Sequence, residues 1–118
     1  MLRRKAKGET ASDVLFDPTT VDIVSSAPDG TSTELHIVAD APWTGSDAQI
    51  RSLQDKIHAY VQFAVDGQMA QLYPELATMP WRIVIRCLSG RPDVRTAEVL
   101  ARTIEPVRRY GGDLEVRP

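Results

Sequence analysis

The stretch Trp81-Arg82-Ile83-Val84-Ile85-Arg86-Cys87-Leu88, followed by Ser89-Gly90-Arg91-Pro92-Asp93 and then Val94 to Val107, decides how this chain folds. In its first eight residues Trp81, Ile83, Ile85 and Cys87 alternate with Arg82, Val84, Arg86 and Leu88, the two-residue period of a strand. Gly90 and Pro92 then break the pattern, and Asp93 offers the short side-chain oxygen that caps a helix N-terminus. Beyond it Val94, Ala97, Leu100, Ala101, Ile104 and Val107 step by three and four, one apolar stripe of a helix. Pro106 lies inside that stripe and removes a backbone donor, so a kink or an early stop near Ile104 is expected. Gly111-Gly112 closes the segment, and Leu114 and Val116 mark a short last strand.

Upstream, the periods repeat in the other order. Val21 to Ser26 reads as a strand in which Val21, Ile23 and Ser25 alternate with Asp22, Val24 and Ser26. Ala27-Pro28-Asp29-Gly30 is a turn, because proline presets φ and glycine accepts positive φ. Thr33 to Ala39 follows, with Leu35, Ile37 and Ala39 on one face and Glu34, His36 and Val38 on the other. Ser46 and Gln49 form a capping box for a helix whose stripe is Ile50, Leu53, Ile57, Tyr60, Val61, Ala64 and Val65. Gly67 is a C-cap or kink, a further turn runs to Leu72, and Tyr73-Pro74 ends it. The order is ββαβαβ. Alternating sheet faces and two amphipathic helices imply an α+β, two-layer α/β sandwich: a four-stranded mixed sheet with both helices on one face. Right-handed crossovers make strands two, three and four parallel, strand one pairs antiparallel with strand two, and the expected order is 1-2-3-4.

With 118 residues the chain is the size of one domain, assigned to residues 14–118. A composition of 42% hydrophobic and 25% charged residues excludes wholesale disorder, collagen and coiled coil, and no apolar run is long enough to span a membrane. The net charge of −2 is unevenly distributed. Arg3, Arg4, Lys5 and Lys7 give residues 1–13 the character of a disordered basic tail, and without them 10 basic residues face 16 acidic ones. Such a body repels phosphate backbones, so nucleic acid is not an expected partner. The basic start lacks the apolar core of a signal peptide, and a single cysteine excludes an internal disulfide; both point to the cytoplasm.

Several of these residues together resemble a family of small, single-domain bacterial proteins of uncharacterised function. They are Val21-Asp22, Leu35-x-Ile37, Trp43, Leu53-Gln54-x-Lys56-Ile57-x-x-Tyr60-x-x-Phe63, Gly67, Tyr73-Pro74, Ile83-x-Ile85 and Pro92. The resemblance spans about five-sixths of the chain, implies a single α+β domain, and carries no activity, cofactor or catalytic residue. Pro106 departs from the unbroken second helix of such proteins.

No catalytic constellation emerges from the pattern. Cys87 belongs to the sheet face under the helices, His36 to the opposite face and His58 to the outer side of the first helix, so no thiolate–imidazole pair forms. His36 with Glu34, Asp22 or Asp40 is a thin basis for a metal site, and neither a phosphate loop nor any cofactor motif is present. The chain therefore reads as non-enzymatic. The uncovered sheet face would carry Asp22, Val24, Glu34, His36, Val38, Arg82, Val84, Arg86, Leu88, Glu115 and Arg117. Apolar Val24, Val38, Val84 and Leu88 among His36, Arg82 and Arg86 suit a protein interface, and self-association through this face or a free strand edge is the leading expectation. The face has no aromatics with which to stack RNA bases. The rival reading is a small-molecule or anion site, or a weak enzyme, where strand ends meet helix starts, built from Asp40, Trp43, Ser89 and Arg91. An immunity- or antitoxin-like partner protein is a third, permitted by small size and an acidic body.

Overall fold

The computed structural model describes residues 16–118, and the tail assigned to residues 1–13 lies outside them. The elements are β1 (Ile23–Ser26), β2 (Thr33–Ala39), α1 (Asp47–Val65), α2 (Gln68–Leu72), a 3-10 turn (Leu76–Thr78), β3 (Trp81–Cys87), α3 (Val94–Arg109) and β4 (Leu114–Arg117). The sheet runs β1-β2-β3-β4, with β1 antiparallel to β2 and the other two pairs parallel. This is the α+β, ββαβαβ architecture expected from the periods, with the short α2 split off by Gly67 at φ +101°.

One core lies between sheet and helices. Leu35, Ile37 and Ala39 of β2 and Ile83, Ile85 and Cys87 of β3 pack with Leu53, Ile57, Tyr60 and Val61 of α1 and with Leu100 and Val107 of α3. The N-cap side chains act as the sequence implies, while the Gln49 side chain turns to the Thr44 and Gly45 N–H groups. Ser46 Oγ accepts from Gln49 N at 3.1 Å, and Asp93 accepts from the Thr96 N–H and hydroxyl. At the other end of α3 a Cβ on Gly112 would run into the Trp81 ring, so glycine there allows the chain to turn tightly into β4.

Two expectations are corrected. In β1, Val24 pairs with Leu35 and Ile23 with His36, so Val24 turns toward the helices and Ile23 toward the open face. The alternation read from Val21 fails because Asp22 is drawn out of the ladder. Its N–H donates to Tyr60 Oη at 2.7 Å, and its carboxylate binds Lys56 and the Val38 N–H. Val21 and Val24, three residues apart, then both reach the core. In α3, the helix continues past Pro106 to Arg109. Pro106 and Arg102 are exposed, so the carbonyl that loses its donor faces solvent, whereas Val107 must be buried and holds the next turn in place.

Candidate functional site

The loops at the carboxyl ends of β2 and β3 bring Asp40, Trp43, Ser89 and Arg91 to one edge, and most of their polar groups are used in stitching the loops together. Trp43 Nε1 donates to the Gly90 carbonyl at 3.0 Å, its ring lies 5.8 Å from that of Phe16, and Ser89 Oγ donates to the Ala41 carbonyl at 2.7 Å. Buried Gln49 ties down the loop ahead of α1, donating to the Pro42 carbonyl and accepting from Thr44 N–H. Burial acts to raise the Asp93 carboxyl, but its bonds from Thr96 outweigh this and hold it below the usual range. That anion, already seated at the start of α3, with Asp47 paired to Arg95 at the start of α1, opposes a second anion there. Asp40 and Arg91 remain exposed; Arg91 turns to a different feature, described below.

The uncovered sheet face is closed by its own charges. Arg117 bonds Glu34 at 3.0 Å and Glu115 at 3.0 Å, Arg82 bonds Glu115 at 3.1 Å, and His36 Nε2 lies 3.3 Å from Glu34 and 3.2 Å from Ser25 Oγ. Burial lowers the His36 pKa below 6.5; Glu34 opposes the shift, while Arg86 and Arg117 reinforce it. Val84 sits in one row with His36 and Glu115, between Arg82 and Arg86 on its own strand, and is 0% exposed. The expected apolar interface thus changes character: Val24 is on the other face, Val84 is buried, Val38 is half-buried, and Leu88 lies exposed just beyond the end of β3. Among the described residues no three metal-ligating side chains converge, here or elsewhere.

Lys56 escaped the sequence reading. It is 2% exposed, and its Nζ donates to the carbonyls of Asp17 (2.8 Å) and Thr20 (3.0 Å) and to the Asp22 carboxylate (2.9 Å), above the Tyr60 ring. Tyr60 Oη in turn donates to the His36 carbonyl at 2.6 Å. The available signal was spacing: Lys56 stands three after Leu53 and four before Tyr60, within the buried stripe. An ammonium with three donors engaged is a clasp for residues 17–22, not a nucleophile. Cys87 is likewise inert, since burial raises its thiol pKa.

A broad concavity lies where the sequence placed core. Only Leu100 and Val107 of the α3 stripe are fully buried; Ala97 and Ala101 are exposed, and Val94 is 78% exposed. Ala97, Leu100, Ala101 and Ile104 form one wall of a groove of about 550 Å³, Leu114, Val116 and Pro118 form the other, and Arg91 and Pro92 close one end. The groove runs beside β4, an edge strand of the sheet.

A family model described as a family of unknown function, DUF6572, matches residues 14–117. The chain belongs to this family. No curated protein matches it, and neither does any solved structure. Within this DUF6572 chain, Asp22, Lys56 and Tyr60, three of the residues that carry the resemblance, meet in the clasp described above.

Proposed function

We propose that this DUF6572 protein is a small non-enzymatic interaction module of the bacterial cytoplasm that self-associates through the β4 edge of its sheet. The observation that carries the reading is the apolar groove between α3 and β4, which opens beside strand backbone that no described residue pairs. Exposed backbone and adjoining apolar surface are the two features that make an edge strand a docking template. The open sheet face supports self-association less well, because its charges satisfy one another and its central valine is buried. Sedimentation velocity across a concentration series tests the proposal. A reversible dimer is expected, and Ala101→Arg, which fills the groove from an exposed position, is expected to make it monomeric at unchanged thermal stability. A wild-type protein that stays monomeric at millimolar concentration would overturn the reading.

A further inference from the structure

The Ile83 N–H donates to the Asp113 carbonyl at 2.8 Å, and Ile83 stands opposite Leu114. In a parallel ladder this turns the N–H and C=O of Glu115 inward to β3 and those of Leu114 and Val116 outward to the free edge. The Leu114 N–H is already given to Asp113 Oδ1 at 2.9 Å, and residue 118 is a proline without an N–H. Among the described residues, Val116 thus holds the one unengaged outward donor of β4, together with its own outward carbonyl.

The side chains flanking that donor are of opposite charge, and the Arg117–Glu115 pair made within one chain can be exchanged for the same pair made between two. Glu115 and Arg117 project on the open face one residue to either side of Val116, whose side chain lies on the groove side. A two-fold axis through Val116 places Val116 opposite its own copy and Glu115 opposite Arg117 of the second molecule, twice over. Pairing shifted by one residue would set core-facing against open-face side chains, and pairing shifted by two removes the charge match.

We infer that the occupant of the β4 edge is a second copy of this chain, paired antiparallel through β4 about Val116. The inference rests on the self-association reading above and specifies its geometry. Two Val116 backbone hydrogen bonds close the junction, the two sheets join into one of eight strands, and the small residues Ala97 and Ala101 let the two α3 helices approach across the paired valines. The interface is isologous and leaves no β4 edge open, so assembly through this edge stops at two.

Val116→Cys, oxidised under mild conditions, is expected to give a covalent dimer, with buried Cys87 silent, whereas Val94→Cys at an exposed site off the edge is expected to give none in preference. Val116→Pro removes the outward donor along with the valine side chain and leaves the β3–β4 ladder intact; its dimer is expected to be weaker by roughly tenfold or more, with an unchanged circular dichroism spectrum. A dimer that Ala101→Arg abolishes but that neither cross-links at position 116 nor weakens with Val116→Pro would overturn this register while leaving self-association standing. A cross-link in Val116→Cys together with the loss in Val116→Pro supports it.

Discussion

Single side chains set how firmly the start of the described chain is held. Lys56 satisfies two carbonyls and one carboxylate that would otherwise face apolar α1 surface, so Lys56→Met is expected to leave all three short of a donor. A loss of about 2 kcal/mol follows, measured as a lower urea midpoint, with residues 17–22 exchanging amide hydrogens faster. Gly112 is constrained from the opposite direction, by space: a methyl group there collides with the Trp81 ring, and Gly112→Ala is expected to cost about 1–3 kcal/mol and to shift tryptophan emission. Neither role is visible in local sequence. Lys56 reads as an ordinary surface lysine until its neighbours on the stripe are counted, and Gly112 reads as one half of a flexible pair.

At the scale of the element, α3 shows most clearly what a period can and cannot say. The stripe from Val94 to Val107 identified the helix correctly, but the sheet beneath it ends at β4 and covers only part of that stripe. Ala97, Ala101 and Ile104 line the groove instead, because a helix at the edge of a two-layer fold has no further strand to lie on. Pro106 is tolerated within this helix only because the turn after it is anchored by Val107. Pro106→Ala restores a donor to the Arg102 carbonyl, and the unfolding temperature is expected to rise, by the equivalent of about 1–2 kcal/mol. β1 shows the converse. Its period of two was legible, yet which face looked inward was decided by a long-range bond from Asp22 to Tyr60, outside the reach of any local pattern.

For the molecule as a whole, the open face links stability to pH. His36 is buried in its neutral form, facing Glu34 and Ser25 at Nε2 and within the fields of Arg86 and Arg117, so its folded pKa lies below the ordinary 6.5. The unfolded chain then binds a proton more readily than the folded one. Stability is therefore fully present above about pH 6.5 and falls as the pH drops from there toward the folded pKa. Urea midpoints measured between about pH 7.5 and about pH 5 are expected to decline in the wild type and to stay flatter in His36→Gln; equal slopes would remove His36 from the account. Glu115, held below its usual pKa first by Arg117 and then by Arg82, stabilises the fold at neutral pH, and that contribution is lost only at lower pH, where carboxylates protonate.

The sequence by itself determined the element order, the strand order, the faces of β2 and β3, the helix caps and the fold class, since each depends on a short-range period or on a residue at a helix end. Tertiary structure alone decided what became of the surfaces. Cross-strand reach let Arg82, Arg117, Glu34 and Glu115 close over a face that the pattern left open. The position of α3 at the sheet edge turned a core stripe into a groove. Those outcomes depend on how far α3 overhangs the last strand and how far a side chain extends across its neighbours, and neither distance is written in the spacing of residues along the chain.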